Sequence, residues 1–240
     1  MNIKEINLKN KAVLIADVHY KKGDIDFLNL LKNWNKNPPP QIFFLGDIFH
    51  LLLPFKFLIE YNKEAIDLIN ELSKKTEVFY TSGNHDFNIE KIFKNVTFAD
   101  AFVDKEKSIF LTHGDLTDKD LFYKFYVLII RNYLGNKILN FVTLNFLNNW
   151  LFKKILQKSI RCSKITKFDM NIKNKIADIN YNNIIEGHYH QNVFFDFNKK
   201  SYLNIGAFFC DKIFFVYEDF IIKETNGNRG QNIKGRLKRA

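Results

Sequence analysis

An α/β sandwich of two sheets with a helical insertion is the fold class this sequence predicts, and three observations carry it. Short apolar runs of strand character recur along the chain, most of them ending in Gly, Asp or His. Helix-permissive stretches separate the early runs, whereas the late ones follow one another directly. One long segment between two strands is almost free of acids and differs from everything around it. At 240 residues, 46% hydrophobic and 26% charged, the chain has a globular composition and can bury a substantial core.

The first run, AVLIA at 12–16, ends at Asp17, and a helix-like stretch follows at 24–36. QIFFL at 41–45 ends at Gly46-Asp47, and a second helix-like stretch covers 56–74. EVFYT at 77–81 leads into the tetrapeptide GNHD, SIFLT at 108–112 ends at His113, and NNIIE at 182–186 ends at Gly187-His188. Apolar runs this short, bounded by turn residues, read as internal strands. Their alternation with helices reads as a layered α/β fold. VFFDF, SYLNI and KIFFVY have no helices between them and predict antiparallel strands completing a second sheet. One domain is expected over 1–224, with an insertion at 117–177 inside it. The tail 225–240, rich in Gly, Asn, Lys and Arg, is expected to be mobile.

The net charge of +10 is a local feature. Between Leu121 and Lys175 stand eleven Lys or Arg and one acid, Asp169, whereas the rest of the chain carries 25 of each sign. That segment interleaves its basic residues with Phe, Leu and Ile, as a helical lid over a sheet would. Polar residues interrupt it too often for a membrane-spanning helix. Cys162 and Cys210 lie far apart and form no CxxC pair, so neither a disulfide framework nor a thiolate metal site is expected. With no apolar leader in MNIKEINLKN, these features predict a cytoplasmic protein.

Five of the six histidines follow predicted strands directly: His19, His85, His113, His188 and His190. Asp17, Asp47, Asn84 and Asp86 share those positions, and the insertion has no histidine. Strand carboxyl ends in open α/β sheets converge on one crevice. Imidazole and carboxylate donors without thiolates suit Mn, Fe or Zn. So many donors exceed one ion's needs and predict two divalent cations, with Asp47, alone on its strand end, suited to bridge them. His50, the sixth histidine, is expected to be a core or surface residue. Asp24, Asp67 and Asp178 carry no functional expectation.

DVH (17–19), GD (46–47), GNHD (83–86), HGD (113–115) and GHYH (187–190) together resemble the signature of the calcineurin-like metallophosphoesterases, complete and in order. The resemblance implies a two-sheet α/β sandwich and hydrolysis of a phosphate ester or anhydride. It places one metal on Asp17, His19, Asp47 and His190, and the other on Asp47, Asn84, His113 and His188. His85 is then the catalytic group that meets the scissile phosphate, and Asp86 is expected to orient its ring.

Within that family, HGDLTDKDLFYKFY, the basic apolar insertion, SIRCSK and YLNIGAFF resemble the UDP-2,3-diacylglucosamine diphosphatases of lipid A biosynthesis. A nucleotide-linked glycolipid substrate is implied, cleaved with Mn2+ as the expected cation and Fe or Zn as substitutes. Asp118 or Asp120 would meet the nucleoside, and Ser159 or Lys164 the sugar phosphate. The lid would rest peripherally on the inner face of the cytoplasmic membrane, with neither nucleic acid nor a protein partner. One departure stands out: those diphosphatases carry Arg where this chain has His85. The alternative is a soluble nucleotide or nucleic-acid phosphodiesterase, since basic and aromatic residues also bind single strands. A third reading is a non-enzymatic scaffold of the same fold.

Overall fold

A computed structural model describes residues 1–115, 146–225 and 231–239. Strands β2 (Val13–Ile15), β3 (Gln41–Leu45), β4 (Glu77–Thr81) and β5 (Val96–Ala99) pair in parallel. β11 (Phe214–Glu218), β12 (Ile221–Thr225) and β13 (Gln231–Arg236) extend that sheet antiparallel from the free edge of β2. The second sheet has the order β1-β6-β7-β8-β10-β9. It comprises β1 (Ile3–Glu5), β6 (Ala101–Asp104), β7 (Ile109–Thr112), β8 (Asn183–Glu186), β9 (Val193–Phe197) and β10 (Lys200–Asn204).

Side-chain alternation explains why the sheets stack. In β2 and β3, Leu14, Phe43 and Leu45 point into the core between the sheets, where they meet Phe102, Leu111, Ile185 and Leu203. Their neighbours Val13, Ile15, Ile42 and Phe44 face the other way and are covered by helices. Strands buried on both faces lose the polar alternation of a half-exposed sheet, which is why these runs are continuously apolar. Helix α1 (Ile25–Lys36) presents Phe27, Leu31 and Trp34 to the outer face, and Asp24 caps it by accepting from Phe27 N. The stretch expected at 56–74 divides into α2 (Lys56–Tyr61) and α3 (Lys63–Leu72). The break is at Asn62, whose buried amide donates to the carbonyls of Leu51 and Leu58.

Two expectations need correction. KIFFVY does not join the second sheet; as β11 it pairs with β2, Phe215 opposite Leu14, because Phe215 and Tyr217 belong to the core between the sheets. β10 pairs in parallel with β8, since the tight turn after β9 folds it back into that slot. Of the tail expected to be mobile, residues 225 and 231–239 are described. β13 hydrogen-bonds to β12, and a single Leu237, 5% exposed, anchors its end in the core, a signal that bulk composition hides.

From the insertion, α4 (Phe146–Gln157) and α5 (Phe168–Ile176) are described. The link 158–167 between them and residue 177 are described too, and the rest of the expected lid, 117–145, lies outside the described residues. α5 packs Phe168, Ile172 and Ile176 on the outer face of the second sheet. No described helix is long and apolar enough to cross a membrane.

Candidate active site

The ends of β2, β3, β4, β7 and β8 point at one place, and the loops leaving them are laced together. Asp17 N donates to Gly46 O and His19 N to Asp47 O, so the first two loops run as one ribbon. Asp17, His19, Asp47, His188 and His190 all have positive φ, between 47° and 68°. Left-handed backbone at non-glycine residues costs on the order of 1 kcal/mol each and persists only when the surroundings enforce it. Here it turns the chain sharply enough that Asp17 and His19, and likewise His188 and His190, face the same crevice.

Three imidazoles are oriented by main-chain carbonyls. Nδ1 of His113 contacts Leu45 O at 2.9 Å, Nδ1 of His190 contacts Arg161 O at 2.8 Å, and Nδ1 of His85 contacts His50 O at 2.7 Å. A carbonyl only accepts, so each Nδ1 carries the proton and donates. Loss of the second proton then leaves each ring a lone pair on Nε2, the form a metal ligand needs.

Asp86 does something other than the expected orientation of His85. Its carboxylate accepts from the backbone N–H of Asp47, Ile48, Phe49 and Gly83 and from the Tyr80 hydroxyl, at 2.6–3.2 Å. Asp86 thus folds the Asp47 loop, and the His85 ring is held by the His50 carbonyl instead. Burial and the Asp47 charge push its carboxyl up to about 6, with Tyr80 and the amides opposing. Gly83 is needed beside it: a Cβ there would lie 2.1 Å from Asp47 Oδ1.

The electrostatics centre on two buried carboxylates. Burial opposes ionisation of Asp17, but His190, His113 and His19 hold it below the usual range. Asp47 is lowered in the same way, burial being outweighed by His113, His85 and His19. Burial depresses His190 and His113 as well, yet Asp17 lifts His190 to about 9, and Asp47, Asp115 and Asp17 lift His113 to about 8. His19 is pushed down to about 3 by burial, and His188 to about 4 by burial and His113. Asp17 and Asp47 therefore sit ionised among imidazoles whose protons a cation could replace.

The donor set fits two divalent cations. Asp17, His19 and His190 can bring one ligand atom each within 4.8 Å of one another, as can Asp17, Asp47 and His113, and also His19, Asp47 and His85. Asp47 Oδ2 lies 3.6 Å from His113 Nε2, and His19 Nε2 lies 3.4 Å from His190 Nε2. Asn84 Oδ1 is buried among these groups without a hydrogen-bond partner. An amide oxygen left so costs roughly 1–3 kcal/mol, which coordination would offset. The donors are all oxygen and nitrogen, suited to borderline or hard ions. Beside them opens a cleft of about 480 Å³ whose floor includes Asn84, His85 and His188 and whose wall is Lys158, Ser159, Ile160 and Arg161.

The calcineurin-like phosphoesterase family model matches residues 11–191, about three quarters of the chain and every one of these loops. The chain belongs to that family. It is a metal-dependent phosphoesterase. No curated protein matches it. Similar solved structures include the Escherichia coli phosphoesterase YfcE, at 15% identity, TM-score 0.49, over 95% of this chain and 98% of that one. An archaeal phosphodiesterase shows 15% identity and TM-score 0.42 over 93% and 99%. Vps29 from Entamoeba histolytica in complex with zinc gives 15% and 0.42 over 92% and 96%.

Within this phosphoesterase centre the structure gathers Asp17, His19, Asp47, Asn84, His85, His113, His188 and His190 into one crevice. Ser159 lines the cleft, whereas Lys164 does not, its ammonium being taken up by the Gln191 carbonyl. Asp118 and Asp120 lie outside the described residues. The sequence reading missed Lys158 and Arg161, since nothing in a basic run says which side chains face the cleft. His50 is a core residue as expected, with Nε2 on the Ile155 carbonyl of α4 at 3.0 Å, but its own carbonyl orients His85.

The expected separation of the cysteines is overturned. Cys162 and Cys210 form a disulfide across 48 residues, with Cα atoms 5.9 Å apart. Spacing along the chain concealed the pair because the fold brings them together. Helix α6 (Phe208–Asp211) docks on the first ligand loop, Phe208 N and Phe209 N donating to Ala16 O and Asp17 O, beneath the cleft wall. The part of the cytoplasmic expectation that rested on the cysteines falls with it.

Proposed function

We propose that this phosphoesterase hydrolyses the pyrophosphate of UDP-2,3-diacylglucosamine, giving UMP and the acylated sugar phosphate lipid X, with two Mn2+ as the preferred cations. One observation carries the reading beyond the family: an amphipathic helix leads directly into the wall of the cleft. α4 buries Phe152 against Phe55 at 5.3 Å, while Trp150 is 52% exposed with the Lys154 ammonium 4.0 Å over its ring. A basic cleft wall continuous with a helix that exposes aromatic and lysine side chains suits a substrate with an anionic head and an apolar body, met at an anionic lipid surface.

When bound, the cation pair supplies Lewis acidity at phosphorus and a water acidic near neutral pH. The chain's own residues do the rest. Lys158 and Arg161 grip the substrate's non-bridging oxygens from the wall, in the ground state as in the reaction. His85, with Nδ1 fixed on the His50 carbonyl, presents Nε2 to the cleft, and the imidazolium formed when Nε2 also takes up a proton can pass that proton to the leaving oxygen. His85 in place of the Arg of the related diphosphatases substitutes a titratable contact for a permanent charge.

Product analysis by mass spectrometry tests this, comparing UDP-2,3-diacylglucosamine, bis-p-nitrophenyl phosphate and single-stranded DNA with Mn2+. Preferential release of UMP supports the reading; preferential cleavage of the small diester or of DNA establishes the soluble phosphodiesterase instead. The membrane part has its own arm. Lys153→Glu with Lys154→Glu should weaken binding to anionic vesicles, with a difference that shrinks at high salt.

A further inference from the structure

We propose that Lys175 is a positioning residue for the second cation, one buried ammonium that sets the spacing between the loop carrying His113 and the loop carrying His188. The inference rests on the dinuclear reading of the site above. Lys175 lies on α5, outside every signature motif, and is only 9% exposed. Its Nζ contacts Glu186 Oε1 at 2.9 Å and Oε2 at 3.1 Å, Gly114 O at 2.8 Å and the Tyr189 hydroxyl at 3.0 Å. Each partner adjoins a proposed ligand. Gly114 follows His113, Glu186 stands two residues before His188, and Tyr189 follows His188.

The two loops leave the sheet side by side, since β7 and β8 pair in parallel with Thr112 opposite Glu186. Past that point nothing in the ladder fixes their separation, and the Lys175–Glu186 pair spans it. Glu186 is fully buried and also accepts from the Tyr202 hydroxyl at 2.7 Å. Gly114, at φ +115°, presses against the same carboxylate: a Cβ there would lie 2.9 Å from Glu186 Oε2. A buried ion pair adds little net stability, because desolvation offsets the attraction. Its measurable effect therefore falls on geometry. Asp17 and His19 lie on a loop to which Lys175 makes no hydrogen bond, and the His190 ring is held by the Arg161 carbonyl. The first cation should be spared.

Removing Lys175 alone strands a buried carboxylate and can unfold the chain. The informative variant is the uncharged pair Lys175→Met with Glu186→Gln, matched in volume. Calorimetric titration of the metal-depleted full chain with Mn2+, and in parallel with Zn2+, should show two sites in the wild type. In the folded double variant one site should weaken by roughly 10–100-fold, the range for lost support of a ligand shell, while the other is retained. Circular dichroism and the thermal midpoint should stay near wild type. Unchanged affinities at both sites in a folded variant overturn the positioning role. Failure of the double variant to fold also overturns it, by making the pair a requirement of the fold. Fewer than two ions on the wild type would instead strike the dinuclear reading itself.

Discussion

The floor and the wall of the cleft are built by opposite means. On the floor, side chains from five loops are held by buried main-chain contacts: His113 on Leu45 O, His85 on His50 O, and Asp86 on four amides. The wall, Lys158 to Arg161, is a non-helical stretch in which Ser159 and Arg161 are exposed. It is secured at its far end by the Cys162–Cys210 disulfide and through Arg161 O by the His190 ring. Preorganised groups act on developing charge without reorganising during the reaction. A wall held at few points can adapt to what it grips. The difference places chemistry on the floor and substrate preference on the wall.

Asp47→Ala breaks the floor most severely. Asp47 contacts the His113 side and accepts from His85 N at 2.8 Å, so its loss should disconnect both cation positions. Hydrolysis should fall nearly to background, with metal content reduced in elemental analysis. Near-wild-type turnover with two ions bound would remove Asp47 from the centre.

His85→Ala comes next. Turnover should drop by about 10²–10⁴, as for loss of a positioned acid or charge stabiliser, with two ions still bound. Because His85 also clusters with His19 and Asp47 within 4.8 Å, the metal count decides its role. An ion lost from this variant would make His85 a ligand.

The same contrast governs what could be read from the chain. The floor was legible because its residues sit at strand ends, where alternation and turn chemistry fix both place and direction. Asp17, Asp47 and His113 could be assigned to one crevice before any contact was seen. Asp86 was legible as a site residue but not as an organiser of amides, since donors from Asp47 to Phe49 come from a different strand end. Lys175 and the disulfide were invisible for the same reason: each joins elements whose adjacency is tertiary. Arg161 stood within a basic run of equivalent residues, and only the course of the backbone past His190 selects it.

A weaker blow to the wall sharpens the comparison. Arg161→Ala removes one guanidinium from the cleft, and a lost charge-assisted hydrogen bond of about 1.5 kcal/mol raises KM for a pyrophosphate substrate about tenfold. Both kcat and the metal content should change much less. Replacing Cys162 and Cys210 together by Ser should move KM in the same direction by a smaller factor. Equal losses of kcat and kcat/KM in either variant would put the wall in the chemistry and erase the division.

The smallest effect concerns the floor without its cations. His113 and His190 have folded values near 8 and 9, against about 6.5 for an unperturbed imidazole. A raised value means that the folded state holds the proton more tightly than the unfolded chain. The resulting stability is fully present below about 6.5 and is lost as pH rises through 8 and then 9. The lowered values of His19 and His188 act at lower pH, between their folded values and about 6.5, and leave this window flat. The thermal midpoint of chelator-treated protein should therefore decline from pH 6.5 to pH 9. With Mn2+ present the decline should vanish or reverse, because cations occupy the place of the displaced protons and bind better as those protons leave. A midpoint rising with pH in the chelated protein would mean that the two carboxylates are balanced by something other than these imidazoles.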